Sequence, residues 1–307
     1  MAAPLLKRRR ILACKAEGTP GTAEALTAAE AAFIVHDAMM QQTAEMEERL
    51  AQGSFDRHAS HVSRRMGRVT FKSHFNAASA TPPGWATWLA GCGLGFDTTF
   101  YKASALAPDG AGSATDSVTF GLYTDGKLKQ IHGAMGNAIL NLPSGRVGFG
   151  EFDFQGIWDA PTDVALLAPT YPTAAPMRVV SSALTLGSYG DFKIGNVRID
   201  IGNVLYPRED VDAASGIYFV CISDRLTKIT IDPEAALVAT KDVYGEWLAG
   251  TAADLTCLLS NGVYKCTITV SDVQIINPQE ADRSGVEVDS LECQANTDDL
   301  KLTFATV

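Results

Sequence analysis

Apolar and polar residues alternate with a period of two over several short stretches of the chain. The clearest are Val69-Thr70-Phe71-Lys72, Phe149-Gly150-Glu151-Phe152-Asp153-Phe154, Val197-Arg198-Ile199-Asp200-Ile201 and Cys266-Thr267-Ile268-Thr269-Val270. Successive side chains of a strand point to opposite faces. Each stretch therefore predicts a strand with one face on a core and the other in solvent or against a partner. Tyr123-Thr124-Asp125-Gly126 and Leu259-Ser260-Asn261-Gly262 predict hairpin turns, because both central residues of a type I′ turn need φ > 0. Helical signals are few. Asp232-Pro233-Glu234 reads as a cap with proline at the first helical position, leading toward Trp247, and residues 82–90 predict an equivalent helix earlier. Thr27-Ala28-Ala29-Glu30 fits a capping box, and the alanines and glutamates running to Leu50 favour helix by propensity. Against that, Phe33-Ile34-Val35 is a β-type run.

The pattern occurs twice. Trp88-Leu89-Ala90-Gly91, the Asp125-Gly126 turn, a β run and Leu142-Pro143 are followed by Trp247-Leu248-Ala249-Gly250, the Asn261-Gly262 turn, a β run and Asn277-Pro278. From turn glycine to proline is 17 residues in the first copy and 16 in the second, and a shared order of four features reads as duplication. Pro161, Pro169, Pro172 and Pro176 cluster between the copies, where neither a helix nor a central strand tolerates them. The expected organisation is a first domain over residues 1–160, a proline-rich linker over 161–178 and a second domain over 179–307. Each domain is expected to be an antiparallel β-sandwich or open barrel with one helix against it.

Charge narrows the function. The 307 residues carry 25 Lys and Arg against 35 Asp and Glu, a net −10. Residues 1–75 hold a balance of +3, which leaves −13 for the rest. An acidic chain gains little from counterion release, so ordinary nucleic-acid binding is disfavoured. Six scattered cysteines without a C-x-x-C pair read as reduced, mostly buried thiols. No apolar run reaches the roughly 18–20 residues of a membrane span. Only three residues separate Lys7-Arg8-Arg9-Arg10 from Cys14, too few for the apolar stretch of a signal peptide, so the expectation is a chain that is neither exported nor inserted. His58 and His61 lack a third ligand at metal spacing, Gly91-Cys92-Gly93-Leu94-Gly95 lacks the context of a phosphate cradle, and no serine sits in a nucleophile elbow. The sequence predicts no catalytic residue, no metal site and no cofactor.

Taken in order along the whole chain, the motifs resemble the major tail tube protein of long-tailed bacteriophages, in the variety with two tube domains in one polypeptide. The resemblance runs through Lys15-Ala16-Glu17-Gly18-Thr19-Pro20-Gly21-Thr22, Val35-His36-Asp37, Glu47-Glu48-Arg49, Val69-Thr70-Phe71 and Pro83-Gly84-Trp85 to Leu89-Ala90-Gly91-Cys92-Gly93. It continues through Asp125-Gly126-Lys127-Leu128, Gly133-Ala134-Met135-Gly136-Asn137 and the stretch from Phe152 to Asp163. Ile201-Gly202-Asn203, Ile222-Ser223-Asp224-Arg225 and Asp282-Arg283-Ser284-Gly285 complete it. Met39-Met40-Gln41-Gln42 departs from it, standing where the family usually has a proline-containing run.

The resemblance implies a structural subunit of the virion, assembled in the host cytoplasm, whose strands join those of neighbours into a barrel that conducts the genome. It recasts residues 31–50 as extended, against their propensity. Two domains per chain imply a trimeric ring that mimics six-fold symmetry, with head-to-tail contacts. Implied partners are further copies of the chain, a tape measure protein, terminator and distal tail proteins, and double-stranded DNA that passes without specific binding. The basic segments Lys7, Arg8, Arg9, Arg10 and Phe55, Arg57, Arg64, Arg65 are expected at contacts between stacked rings, against acidic surface around Asp282, Asp298 and Asp299. The lumen is expected to be predominantly negative, from residues the sequence does not identify. Competing readings are a terminator or adaptor ring, the inner tube of a contractile injection machine, and a carbohydrate-binding or hydrolytic β-sandwich of a phage fibre. The last would need aromatic platforms with paired carboxylates, which four tryptophans, Trp85 and Trp88 together and Trp158 and Trp247 far from them in sequence, do not suggest.

Overall fold

A computed structural model describes residues 5–53, 55–77, 83–97, 100–104, 116–187 and 193–307. The chain begins with β1 (Arg10–Ala16), a 3-10 turn at Ala29–Ala31 and the long hairpin β2 (His36–Leu50) and β3 (Arg57–His74). A second 3-10 turn at Gly84–Ala86 runs into α1 (Thr87–Gly91), then β4 (Leu94–Asp97) and β5 (Phe100–Ala103). The first half closes with β6 (Val118–Thr124), β7 (Lys127–Pro143) and β8 (Phe149–Asp163). The second half starts with β9 (Thr185–Leu186), β10 (Ile194–Asp200), β11 (Asn203–Glu209), β12 (Ile217–Arg225) and β13 (Lys228–Pro233). It ends with α2 (Val243–Ala249), β14 (Ala252–Ser260), β15 (Tyr264–Arg283), β16 (Val286–Ala295) and β17 (Leu300–Thr306).

The protein is mainly β, and its two halves repeat one antiparallel strand order. In the first half the neighbours run β2-β3-β8-β7-β6-β1; in the second they run β10-β13-β16-β15-β14-β9. Registers repeat too. Val69 faces Phe154 and Met40 on its two flanks, as Ile229 faces Cys293 and Ile199. The β6–β7 ladder bulges between Val118 and Phe120, with Gly133 at φ 57°; the β14–β15 ladder bulges between Ala253 and Leu255, with Asp272 at φ 56°. The halves share one 15-stranded sheet, because β10 pairs with residues 139–143 of β7 and β17 pairs with β5.

The period-two alternation accounts for the core. Trp88 is 0% exposed and packs on Phe33, Phe71, Trp85 and Phe152 at ring separations of 4.6, 4.9, 6.1 and 5.3 Å. In the second half aliphatic side chains, Ile199, Ile229, Ile231 and Leu291, take the inward positions of the same core. A Cβ on Gly91 would stand 2.9 Å from both the Phe154 ring and Val118, so only glycine lets α1 lie this close to the sheet.

Four local expectations are corrected. The capping box at Thr27 forms only in half, with the Thr27 amide donating to Glu30 Oε2 at 2.8 Å, and it serves one 3-10 turn; the helix that propensity favoured does not follow, and residues 36–50 are extended in β2 as the resemblance implied. Helix propensity yields there to pairing of β2 with β3. Asp232 and Pro233 end strand β13 instead of capping a helix; the cap of α2 is Asp242, which accepts from Gly245 N at 2.7 Å. At Asp125-Gly126 both residues have φ > 0, 46° and 99°, whereas Asn261 does not, and its side chain instead receives the amides of Val263 and Tyr264 in a wider loop. Finally, β8 runs through Pro161 to Asp163. Pro161 is tolerated because it sits at a bulge opposite Leu128–Gln130, where a missing N–H costs no ladder bond.

Candidate functional site on a polar sheet face with two open edges

The outward positions of β3, β8, β7, β10, β13 and β16 form one continuous polar face. It carries Arg68, Lys72, Arg198 and Lys228 with Glu151, Asp153, Asp200, Asp232 and Glu292, interleaved with Asn137, Asn141, Gln155, Thr230 and Gln294. Opposite charges stand on neighbouring strands. Arg68 forms a two-pronged contact with Asp153, Nε to Oδ1 at 2.7 Å, and Lys72 reaches Glu151 at 2.6 Å. These hydrogen bonds hold both cations above their ordinary pKa. Arg198 stands 3.9 Å from Asp200, which also accepts from Asn137 Nδ2 at 2.8 Å. The face is close to charge balance locally, unlike the chain as a whole.

One end of this face is roofed by the hairpin β11–β12. Val220, Ile222 and Leu205 pack on Met135 of β7 and Met66 of β3. Arg225, its side chain 3% exposed, anchors the hairpin by donating to Gly93 O at 2.9 Å and pairing with Asp298 at 3.0 Å. Underneath lies a carboxylate that sequence reasoning passed over. Glu17, 1% exposed, accepts from Ser117 Oγ (2.6 Å), Thr119 Oγ1 (2.8 Å), Gly133 N (2.7 Å) and Gly21 N (2.9 Å). A Cβ on Gly21, whose φ is 78°, would meet Tyr218 O at 2.3 Å, so the Glu17–Gly21 loop fits directly beneath β12. The signal was a lone acid followed by Gly-Thr-Pro-Gly just after a strand.

Besides the short or peripheral strands β1, β4 and β9 and the separate hairpin β11–β12, two stretches of the sheet lack a second neighbour among the described residues. The outer edge of β2 ends the sheet, and β14 leaves β15 at Gln274, so residues 275–283 pair only with β16. Beyond its first rungs, β2–β3 projects as an arm carrying exposed Met46 (56%) and Val62 (57%), with Phe55 fully exposed near its tip.

The residues expected at inter-ring contacts divide into two groups. Leu6 N donates to Asp125 Oδ2 at 2.9 Å, Arg9 pairs with Asp125, and Arg10 donates to Ala38 O at 3.0 Å, so the arm at Lys7–Arg10 is tied to its own chain. Lys7 and Arg8 are exposed. Arg57 pairs with Glu48 and Arg64 with Glu209, while Arg65 lies over the Trp158 ring. Of the acids expected to meet them, Asp298 pairs with Arg225 and Asp299 with Lys301, and Asp282 receives the Gly285 amide of its own turn. His58 and His61 face Arg49 and Glu47 across a bulge in the β2–β3 ladder, and His61 Nε2 lies 3.2 Å from the Arg49 guanidinium, a cation that disfavours a metal there. All six cysteines are free, with five buried, and burial pushes the Cys92 thiol far up. Among the described residues no three His, Cys, Asp or Glu side chains converge on one point, and no helix is long and apolar enough to cross a membrane. In comparisons with known proteins, no family model and no curated protein matches the chain.

Proposed function

We propose that this chain is a tube-forming structural subunit of the bacteriophage tail tube type, with no catalytic role. One observation carries the reading. The chain holds two copies of the same six-strand order, joins them edge to edge through β10 and β7, and leaves open the equivalent edge at each end, on β2 and on β15. Such a unit has complementary ends and extends head-to-tail until it closes. Three chains with two copies each would fill a six-position ring, and stacked rings would make a tube.

On this reading the polar face lines the lumen. Free Lys or Arg on such a wall would engage phosphate, release counterions and retain passing DNA. Arg68, Lys72 and Arg198 each stand beside a carboxylate and, among the described residues, only Lys228 of the four cations has none, so most of the face's positive charge is already engaged. On this reading charge pairing joins the expected excess of negative charge as a device that keeps the wall smooth. Tape measure, terminator and distal tail proteins remain the partners this reading implies. Negative-stain microscopy of the purified protein tests it, with three-chain rings or tubes expected. A protein that stays monomeric at every concentration overturns the reading, and rings that never stack favour a terminator or adaptor.

A further inference from the structure

The contact between the two halves of the chain is a template for a contact between chains. The arms β2–β3 and β11–β12 correspond rung by rung. Ala44 faces Arg65 as Asn203 faces Arg225. Beyond each rung one bulge intervenes, after which Met46 faces Val62 as Leu205 faces Ile222. The Leu205–Ile222 rung is not idle. It crosses the joint between halves and packs on Met135, two residues beyond the bulge at Gly133. The Met46–Val62 rung has no such cover within its own chain, and both residues are more than half exposed. Two residues beyond the equivalent bulge at Asp272 stands Gln274, followed by the exposed Ile276 on the same open-edged strand.

Resting on the ring reading above, we infer that the β2–β3 arm of one chain docks on the polar face of β15 of the next, seating Met46 and Val62 on Gln274 and Ile276. The open edges of β2 and β15 pair antiparallel beneath that arm. The internal joint also gives the register. Asp200, Ile199 and Arg198 face Ile139, Leu140 and Asn141. Their counterparts are Gln41, Met40 and Met39 on β2, aligned by Met40 with Val69 and Ile199 with Ile229. On β15 the counterparts are Gln279, Glu280 and Ala281, aligned by Asn277 facing Glu292 as Asn137 faces Asp153. The rungs between chains are therefore Gln41 with Gln279, Met40 with Glu280 and Met39 with Ala281. The occupant is a second copy of this chain, because only the β2–β3 arm repeats the rung, the bulge and the spacing that the joint already uses.

Cysteine cross-linking tests the geometry in the full chain. In a Cys221→Ser background, which removes the one half-exposed thiol, Val62→Cys and Gln274→Cys are placed on separate chains and mixed under mild oxidation. A disulfide-linked dimer that needs both variants is expected. Ile222→Cys with Met135→Cys in one chain is the positive control and should close within that chain. Rings or tubes that form on the microscope grid without a Val62–Gln274 cross-link, while the control closes, overturn the docking and leave the ring reading standing. Absence of any oligomer overturns both. Met46→Asp with Val62→Asp should weaken assembly by at least about tenfold, since a central apolar anchor is lost, with the monomer's unfolding midpoint unchanged. An unfolding shift without an assembly defect counts against the inference.

Discussion

Glu17 shows how much one buried acid can organise. Its two oxygens gather four donors from a serine, a threonine and two glycine amides. Those donors lie on β6 and the residue just before it, on β7 and in the loop under β12, so the carboxylate ties the edge of the first half to the segment that seats the hairpin of the second. Replacing it by Gln turns one acceptor into a donor facing other donors. Glu17→Gln should destabilise the chain by about 2–3 kcal/mol, the scale of a buried group left unsatisfied, read as a lower denaturant midpoint with an unchanged slope. A shift under about 0.5 kcal/mol, the range of ordinary surface substitutions, would show that the loop rearranges around the change. Phe71, stacked on Phe152 and edge-on to Trp88, tests the core instead. Phe71→Ala should cost about 3–5 kcal/mol as in other large-to-small core changes.

At the scale of elements, the two helices share the run Trp-Leu-Ala before a glycine and meet different fates. Trp88 in α1 is sealed, while Trp247 in α2 keeps a solvent-facing side and donates Nε1 to Ile276 O at 3.0 Å. The cover differs, since β1 supplies seven residues where β9 supplies two. Being exposed, α2 relies on its cap. Asp242→Ala should cost about 1 kcal/mol, visible as roughly fivefold faster amide exchange across residues 243–249 with global unfolding unmoved. The β2–β3 hairpin carries a pH dependence. Burial, and then the neighbouring His36, hold His74 below the ordinary histidine pKa. A depressed folded pKa gives stability that is complete above the unfolded value near about 6.5 and declines as pH falls through it. Unfolding midpoints should drop between pH 7.5 and 5.5, and His74→Gln should flatten that drop.

The same elements explain what a reader of the sequence could and could not see. The strands at Val69, Phe149, Val197 and Cys266 announced themselves by alternation, and the Asp125-Gly126 turn by its need for φ > 0. The repeated Trp-Leu-Ala-Gly led to two equivalent helices. Local chemistry misled where pairing with a distant strand decided the outcome: Thr27 and Glu30 form half a capping box without a helix, and Asp232-Pro233 closes a strand. The β7–β10 joint left no local trace, because Leu140 and Ile199 look like any inward strand residues until they face each other. The polar face was equally hidden, being assembled from six strands that alternate separately.

At the scale of the molecule, the ion pairs of the polar face invite a charge test. Asp153→Asn with Glu151→Gln would leave Arg68 and Lys72 without their carboxylates. The variant protomer should retain duplex DNA at low salt and release it as salt rises, where the parent chain does not bind, since each added phosphate contact carries its own counterion release. A gel-shift titration reads this, and equal retention by both proteins would remove charge pairing as the reason for a smooth wall.

The joint within the chain and the edges at its ends differ in composition, with a mechanical consequence. Inside the chain, Leu140 and Leu142 meet Ile199 and Val197, all buried. At the free ends, Met40 is set to meet Glu280, and Pro278 offers no amide to the open edge of β15. A closed ring of three such chains would alternate stiff seams with compliant ones. Bending or internal pressure would open such a ring at every second seam, three of its six, where six identical subunits would share the load evenly.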